Sequence, residues 1–326
     1  MGYYLGIEIG GTKLQMGVGA DDGVLAGLWR GAVDTAAGPE GIRRQITQAV
    51  PELLAKANID RSRLKGVGVG FGGPVDDATR TVIKSHQIEG WDDFPLADWV
   101  SEVVGLPAVL GNDADVAGLA EALHGAGKGI SPIFYITIGS GIGGGFIIDG
   151  EIYRGVGKGA AEIGHLRMFG KDWEAGDFGS DILENVASGW SIGQMARTIL
   201  CVRPEASQVL LRSVEGKPER ITAWHVGQAA QAGDDFARSI LLFTLVELAE
   251  AVCHAITLLC PRRIVIGGGV ALLGEAVLFE PLRELVAQRV FKPFAGLTEI
   301  LPAALGEEVV VHGAIALARR KLVTRE

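Results

Sequence analysis

Apolar positions in this chain come in short runs that change period from two to 3.6 and back, with glycine at most of the changeovers. The opening YLGIEIGGTKLQMGVGA sets apolar runs on both sides of a Gly-Gly-Thr turn, with Leu14 to Val18 as the second run. That pattern predicts strand, turn, strand. From Glu40 to Ala57 the spacing becomes helical: Ile42, Ile46, Val50, Leu53 and Leu54 share one side, and Pro51 is expected to kink the helix. KGVGVGFGGP predicts a buried strand ending in a glycine turn. LPAVLGNDADVAGLAEALHGAG predicts a strand, an Asn-Asp junction and a helix. PIFYITIGSGIGGGFIIDGEI then repeats the opening design, and its turn at Gly139 answers the one at Gly10, which points to two related halves. Ser239 to Cys260 is apolar enough to raise a membrane span, but it contains Glu247, Glu250 and His254, so a buried core helix is expected instead. RRIVIGGGVALLGEAV closes the series as strand, glycine turn and helix. Strands alternating with helices predict an α/β protein.

Composition narrows this picture. With 326 residues, 48% apolar and 21% charged, the chain can build one large or two ordinary cores. Its 48 glycines follow no triplet period; they cluster where backbone must come close to something. The net charge of −9 argues against a nucleic-acid binder working through a basic field. It leaves phosphate binding open, because a cradle of backbone N–H groups needs no basic surface. The N-terminus lacks the charged start of a signal peptide, and a lipidated Gly2 is disfavoured by the strand-like run behind it. Three cysteines, Cys201, Cys253 and Cys260, form no CxxC pair, so a reducing cytoplasm is expected.

The glycine turns carry the first chemical signal. GSGIGG at 139–144 satisfies G-x-G-x-x-G, but Phe146-Ile147-Ile148 follows as a strand where a dinucleotide fold needs a helix. The Walker A pattern is absent as well. Two hairpins remain, with Gly10, Gly11 and Thr12 beside Lys13 in one, and Gly139, Ser140, Gly141, Gly143 and Gly144 in the other. Together with Gly267, Gly268 and Gly269 at a third strand end, they predict a nucleotide site held mainly by main-chain amides. Taken singly, each would be an ordinary tight turn.

In order, GIEIGGTK, GFGGPVD, GNDADVAGLAE, TIGSGIGGG, AAEIGHL, LENVASG and IVIGGGV make the chain resemble the ROK family of bacterial glucokinases, N-acetylhexosamine kinases and repressors, nearly end to end. The resemblance implies the two-domain actin-like, hexokinase-like α/β fold with a nucleotide and sugar cleft. It places an N-terminal domain over 1–113, joined by the C-terminal helix 312–326, and a larger C-terminal domain over 114–311 that would dimerise. It implies ATP-dependent phosphorylation of a hexose, at the 6-hydroxyl of glucose or a relative. Asp113 would be the general base, because a sugar hydroxyl is a poor nucleophile until a carboxylate takes its proton. Asn112, Glu162, His165 and Glu184 would bind sugar hydroxyls, with Gly72, Gly73 and Gln87 nearby. On residue type alone, Asn112 or Asp113 would equally serve as a helix cap, and Glu162 with His165 as a surface pair. Repressors of the family carry a helix-turn-helix ahead of this region; with a first strand beginning by Tyr3, none is expected here.

The sequence departs from the family at two places. Glu8 stands where the family usually has the Asp that reaches Mg²⁺ through water; the hard-oxygen chemistry is kept. Between His165 and Glu184 the zinc-binding cysteines are missing: their places hold Ala175, Asp177 and Ile182. No structural zinc is therefore expected, and the loop would be held by packing through Trp173 and Phe178. The same loss keeps a polyphosphate donor in view, beside a sugar-binding regulator without catalysis. Neither nucleic acid nor membrane is expected as a partner.

Overall fold

The structure, a computed structural model, describes residues 2–85, 88–156, 159–172 and 177–323. The chain forms two compact units. The first comprises Met1–Tyr135, Gly145–Ala160 and Ala304–Glu326; the second comprises Ile136–Gly144 and Ala161–Ala303.

The first unit begins with β1 (Tyr3–Ile9), β2 (Lys13–Gly19) and β3 (Leu25–Ala32), an antiparallel meander. Helix α1 (Gly38–Lys56) follows and passes through Pro51 without ending there. Then come β4 (Leu64–Phe71), the short pair β5 (Val75–Asp76) and β6 (Thr81–Val82), α2 (Leu96–Val104), β7 (Ala108–Asn112) and α3 (Asp113–His124). The sheet order is β3-β2-β1-β4-β7, with β1, β4 and β7 parallel. A period of two sorts its faces. Leu5, Ile7, Ile9, Val67, Val69 and Phe71 enter one core with Ile42, Ile46, Leu53 and Leu54 of α1.

The opposite face is glycine-rich for a different reason. The chain returns to the first unit at Ala304 and ends in α10 (Val309–Val323), which packs on β1, β4 and α3. A Cβ on Gly68 would sit 1.8 Å from the Ala314 carbonyl oxygen, and one on Gly313 would sit 1.8 Å from that of Val116. Helix α10 therefore meets both the sheet and α3 backbone to backbone, which only glycine permits. Much of the glycine content thus serves packing as well as turns. The first unit also reaches past residue 113 to Tyr135, because α3 lies against α10 and stays with it.

The chain passes between the units within β8 (Ile133–Ile138) and β9 (Ile142–Ile148), with β10 (Glu151–Ile152) after them. The second unit continues with the hairpin β11 (Arg167–Asp172) and β12 (Asp177–Ile182). Helices α4 (Leu183–Ala187), α5 (Gly189–Val202), α6 (Gln208–Ser213), α7 (Ala223–Gln231) and α8 (Asp235–Leu259) follow, then β13 (Arg263–Gly267), α9 (Glu280–Arg289) and β14 (Glu299–Pro302). The second sheet has the order β10-β9-β8-β13-β14. Helix α8 is long and apolar enough to cross a membrane, yet most of it is buried under α4, α5, α7 and α9 as a core helix. The Asp234 side chain caps its start, and Cys260 ends it in the left-handed region at φ 42°.

Candidate active site

Ile9, Phe71 and Asn112 lie in register across the parallel strands β1, β4 and β7, so the segments after them leave the sheet at one level. Open α/β sheets bind ligands at this end, beyond the carboxyl termini of parallel strands. The loops meet there. A Cβ on Gly72 would lie 3.4 Å from Asp113 Oδ2 and 3.6 Å from Gly10 Cα, and the Gly72 N–H donates to the Ile9 carbonyl at 2.9 Å. Three residues singled out from sequence, Gly10, Gly72 and Asp113, are thus neighbours.

Asn112 is the N-cap of α3. Its Oδ1 accepts from the Ala114 and Asp115 N–H groups at 2.9 and 3.3 Å, and its Nδ2 donates to the Gly73 carbonyl at 3.0 Å. The cap reading therefore holds, and it locks the 72–73 turn to the helix. Asp113 Oδ1 accepts from the Ala114 N–H at 2.8 Å. The carboxylate sits half-buried in the first turn of α3, where the helix dipole favours negative charge. Gly73 has its own reason to be glycine: a Cβ there would stand 2.7 Å from the Lys84 carbonyl oxygen.

Glu8, near the end of β1, is only 6% exposed. Lys13 Nζ lies 3.2 Å from its Oε1, and Gln15, directly opposite on β2, donates to its Oε2 at 2.9 Å. Burial raises its pKa above the ordinary carboxylate range, and the Lys13 charge and the hydrogen bonds from Lys13 and Gln15 partly offset that rise. Lys13 and Gln15 also donate to the Glu307 carbonyl, and Arg30 Nε donates to Gln15 Oε1 at 2.9 Å. Lys13 is thus held beside Glu8, while Thr12 is exposed at the tip of the turn.

In the second unit the turn at 139–144 is braced from several sides. The Gly189 N–H donates to the Gly139 carbonyl at 2.8 Å, and the Ile142 N–H donates to Glu184 Oε2 at 2.8 Å. A Cβ on Gly141 would come within 2.3 Å of that Glu184 oxygen, and one on Gly144 within 2.2 Å of the Ala161 carbonyl oxygen. These two glycines are accounted for by packing. Around Gly139 and Gly269, by contrast, a Cβ would meet open space, so the protein's own packing does not demand glycine there. Gly268 is in the left-handed region at φ 84°, hard against the Ile138 backbone, and Ser140 is exposed.

Glu162 and His165 flank a single 3-10 turn, Ile163–His165, and both are exposed while Ile163 and Gly164 are buried beneath them. Ala161 enters this turn at φ 64°, an uncommon conformation for a residue with a Cβ. The segment carrying Glu184 is joined to the one carrying His165 by main-chain bonds. Strands β11 and β12 pair from Arg167↔Ile182 to Asp172↔Asp177, and the Leu183 N–H donates to the Leu166 carbonyl at 2.9 Å. The hairpin ladder thus ties the start of the segment that carries Glu184 to the residue that follows His165. Gln87, Trp173 and Ala175 lie outside the described residues, and the side chain of Phe178 is not described.

Sequence reading missed Gln15, Arg30, Glu121 and Arg154. Gln15 and Glu121 did leave a trace, each being a polar residue inside an apolar run. The other two reveal themselves only through partners distant in sequence.

Comparison with known proteins follows the same lines. The chain is 32% identical over 314 residues to a glucokinase of Halalkalibacterium halodurans, covering 95% of this chain and 93% of that protein. It is 31% identical to a glucokinase of Thermotoga maritima, covering 98% of each. Among solved structures, a ROK family glucokinase from Streptomyces griseus in complex with glucose and AMPPNP is 32% identical, with a TM-score of 0.82 over 98% of this chain and 100% of that one. The α/β architecture is that of these kinases, the actin-like ATPase fold. The ROK family model matches residues 4–321, and the chain belongs to the ROK family.

Proposed function

We propose that this protein is a carbohydrate kinase that transfers the γ-phosphoryl group of ATP to a hydroxyl of glucose, at the 6-position, or of a close relative. The observation that carries this reading is the placement of Asp113 Oδ2 beside Gly72 and the Gly10 turn, at the carboxyl ends of three parallel strands. The helix dipole favours the charged form of a carboxylate at a helix N-terminus, which can accept a proton, and an adjoining turn of backbone amides suits a polyanion. The glucokinase relatives and the S. griseus complex with glucose and AMPPNP support the donor and acceptor.

The steps assigned to the chain's own residues are these. Glu162, His165 and Glu184 accept hydrogen bonds from ring hydroxyls; the 139–144 turn, with Gly10, Gly11 and Thr12, holds phosphate oxygens. Asn112 fixes the 72–73 turn and orients sugar. Asp113 Oδ2 takes the hydroxyl proton as the oxygen attacks phosphorus and the bond to the leaving diphosphate breaks. Glu8 suits a magnesium ion borne by the phosphates. It offers one hard carboxylate, which suits an ion that keeps most of its waters. Bound there, the ion would neutralise charge on the transferring group. Lys13, paired with Glu8, would exchange that partner for a phosphate oxygen.

The test is a coupled ADP-release assay across glucose, mannose, N-acetylglucosamine, N-acetylmannosamine and fructose, with ATP and with polyphosphate as donors. Glucose with ATP is expected to give the largest kcat/KM. Turnover with polyphosphate only would overturn the donor, and no turnover with any pair would leave a sugar-binding regulator.

A further inference from the structure

A cavity of about 360 Å³ lies within the first unit, and neither Asp113 nor any residue of the two glycine turns lines it. Its apolar wall comes from Leu110, Leu119, Ile152, Leu317 and Leu322. Along one side runs β7, the last strand of its sheet, whose outer main-chain edge pairs with no other strand of that sheet. A mostly apolar pocket of this size with a few converging polar groups is the usual form of a small-molecule site.

The polar groups define what would fit. Arg154 Nη1 donates to Asp115 Oδ2 at 2.5 Å, Nη2 donates to the Val75 carbonyl at 3.2 Å, and Asp77 lies 3.5 Å from Nη2. Arg320 pairs with Glu151, and Arg80 with Asp98. Among the described residues, Arg80 Nε, 2.9 Å from Asp98, makes no hydrogen bond, and two further donors stand out. The Arg154 Nε is buried without a hydrogen-bond partner, and Lys321 stands exposed at the rim with no ionic partner. A buried guanidinium N–H with nothing to donate to is rare in a finished interior. An apolar wall, one spare cation and one spare N–H call for an apolar body bearing a single anionic head.

We infer that this cavity is a second binding site, for a small amphipathic carboxylate or phosphate ester, and that Arg154 reports its occupancy to the candidate active site. The link is covalent and short. Asp115 is two residues beyond Asp113 in the first turn of α3, and Val75 is two residues beyond Gly73. A ligand head drawn to the Arg154 guanidinium competes with both contacts and shifts the turn and the helix that carry Gly72, Gly73 and Asp113. The binding claim stands apart from the kinase reading; the kinetic consequence rests on it.

The test titrates the full chain calorimetrically with 4-phenylbutyrate, phenyl phosphate and the uncharged 4-phenylbutan-1-ol. At least one anion is expected to bind about fivefold or more tighter than the alcohol, and the tighter of the two names the head group. Ile152→Trp, which fills the wall, and Lys321→Glu, on the surface, should each weaken that binding by about tenfold and leave unliganded turnover within about twofold. Lys321→Glu needs no repacking, so it decides the matter if the Trp variant fails to fold. Absence of anion binding, equal binding of the alcohol, or binding unchanged in Lys321→Glu overturns the site. Saturating probe should change glucose phosphorylation several-fold in the natural sequence and not in Lys321→Glu. Binding without any kinetic change overturns the coupling through Arg154. A chain with no kinase activity refutes the kinase reading, and the calorimetry still decides the cavity.

Discussion

Glu121 is fully buried near the C-terminal end of α3, and its carboxylate accepts three main-chain N–H groups. Oε1 takes those of Ala304 and Leu305 at 3.0 and 2.9 Å, and Oε2 takes that of Ala126 at 2.7 Å. It thereby fastens α3, which carries Asp113, to the place where the chain re-enters the first unit. Glu121→Ala orphans three donors and opens a void; at about 1–3 kcal/mol per unsatisfied buried group, discounted for partial access to water, the loss is about 3–5 kcal/mol. Glu121→Gln keeps the shape. Its best orientation leaves the oxygen on Ala304 and Leu305 and turns an NH₂ against the Ala126 N–H, a loss of about 1–3 kcal/mol. A chain of two units has no single well-defined unfolding free energy, so the measurement is amide hydrogen exchange read by peptide. Protection should fall at 121–127 and 303–306 by those amounts, and stay unchanged at 240–256 in α8. Equal protection in all three proteins, or a Gln variant looser than the Ala variant, would refute the clamp.

Three further outcomes follow from the same geometry. Because burial raises the pKa of Glu8, the folded state favours its protonated form; that contribution is present at low pH and lost as pH rises through the folded pKa. The difference in opening free energy of β1 and β2 between the natural protein and Glu8→Gln, read by hydrogen exchange, should therefore shift toward the natural protein as pH falls from 7 to 4, and a flat difference would contradict this. Burial and the nearby Glu250 charge push the Cys253 thiol up to about 11, while Cys201 is exposed. At pH 8 about one Cys253 in a thousand is thiolate, so a thiol reagent should modify Cys201 promptly and spare Cys253 until the protein unfolds; prompt loss of both would contradict it. Asn112→Ala removes both the α3 cap and the tie to Gly73, and should lower the opening free energy of 112–118 by about 1–2 kcal/mol in hydrogen exchange. No change there would mean that the cap is redundant.

Local pattern made much of this protein readable. The alternation in KGVGVGF and the turns at Gly10 and Gly139 announced strands and hairpins, because a period of two and a glycine turn are properties of a few adjacent residues. The Asn-Asp junction gave both the cap and the candidate base for the same reason. What stayed hidden depends on distant partners. The glycines of β4 read as turn formers and strand interior, yet Gly68 is small because α10, more than two hundred residues later, lies on it. Gly141 and Gly144 looked like a phosphate cradle, and the structure gives them packing reasons through Glu184 and Ala161 as well. The missing zinc ligands gave no hint of what holds the Glu184 segment, because sequence does not reveal a β11–β12 ladder ending at Arg167 and Ile182. Arg154 carried no signal at all, since its meaning lies in Asp115 and Val75.

Asp113→Asn decides whether the carboxylate beside Gly72 removes the proton. Asn keeps the side-chain oxygen that accepts the Ala114 N–H, so α3 should begin as before. In a coupled ADP-release assay with glucose and ATP, kcat should fall by about 10²–10⁴ while both KM values stay within a few-fold. A variant that retains kcat within a few-fold would show that Asp113 is only a helix-start residue, and that another group takes the proton.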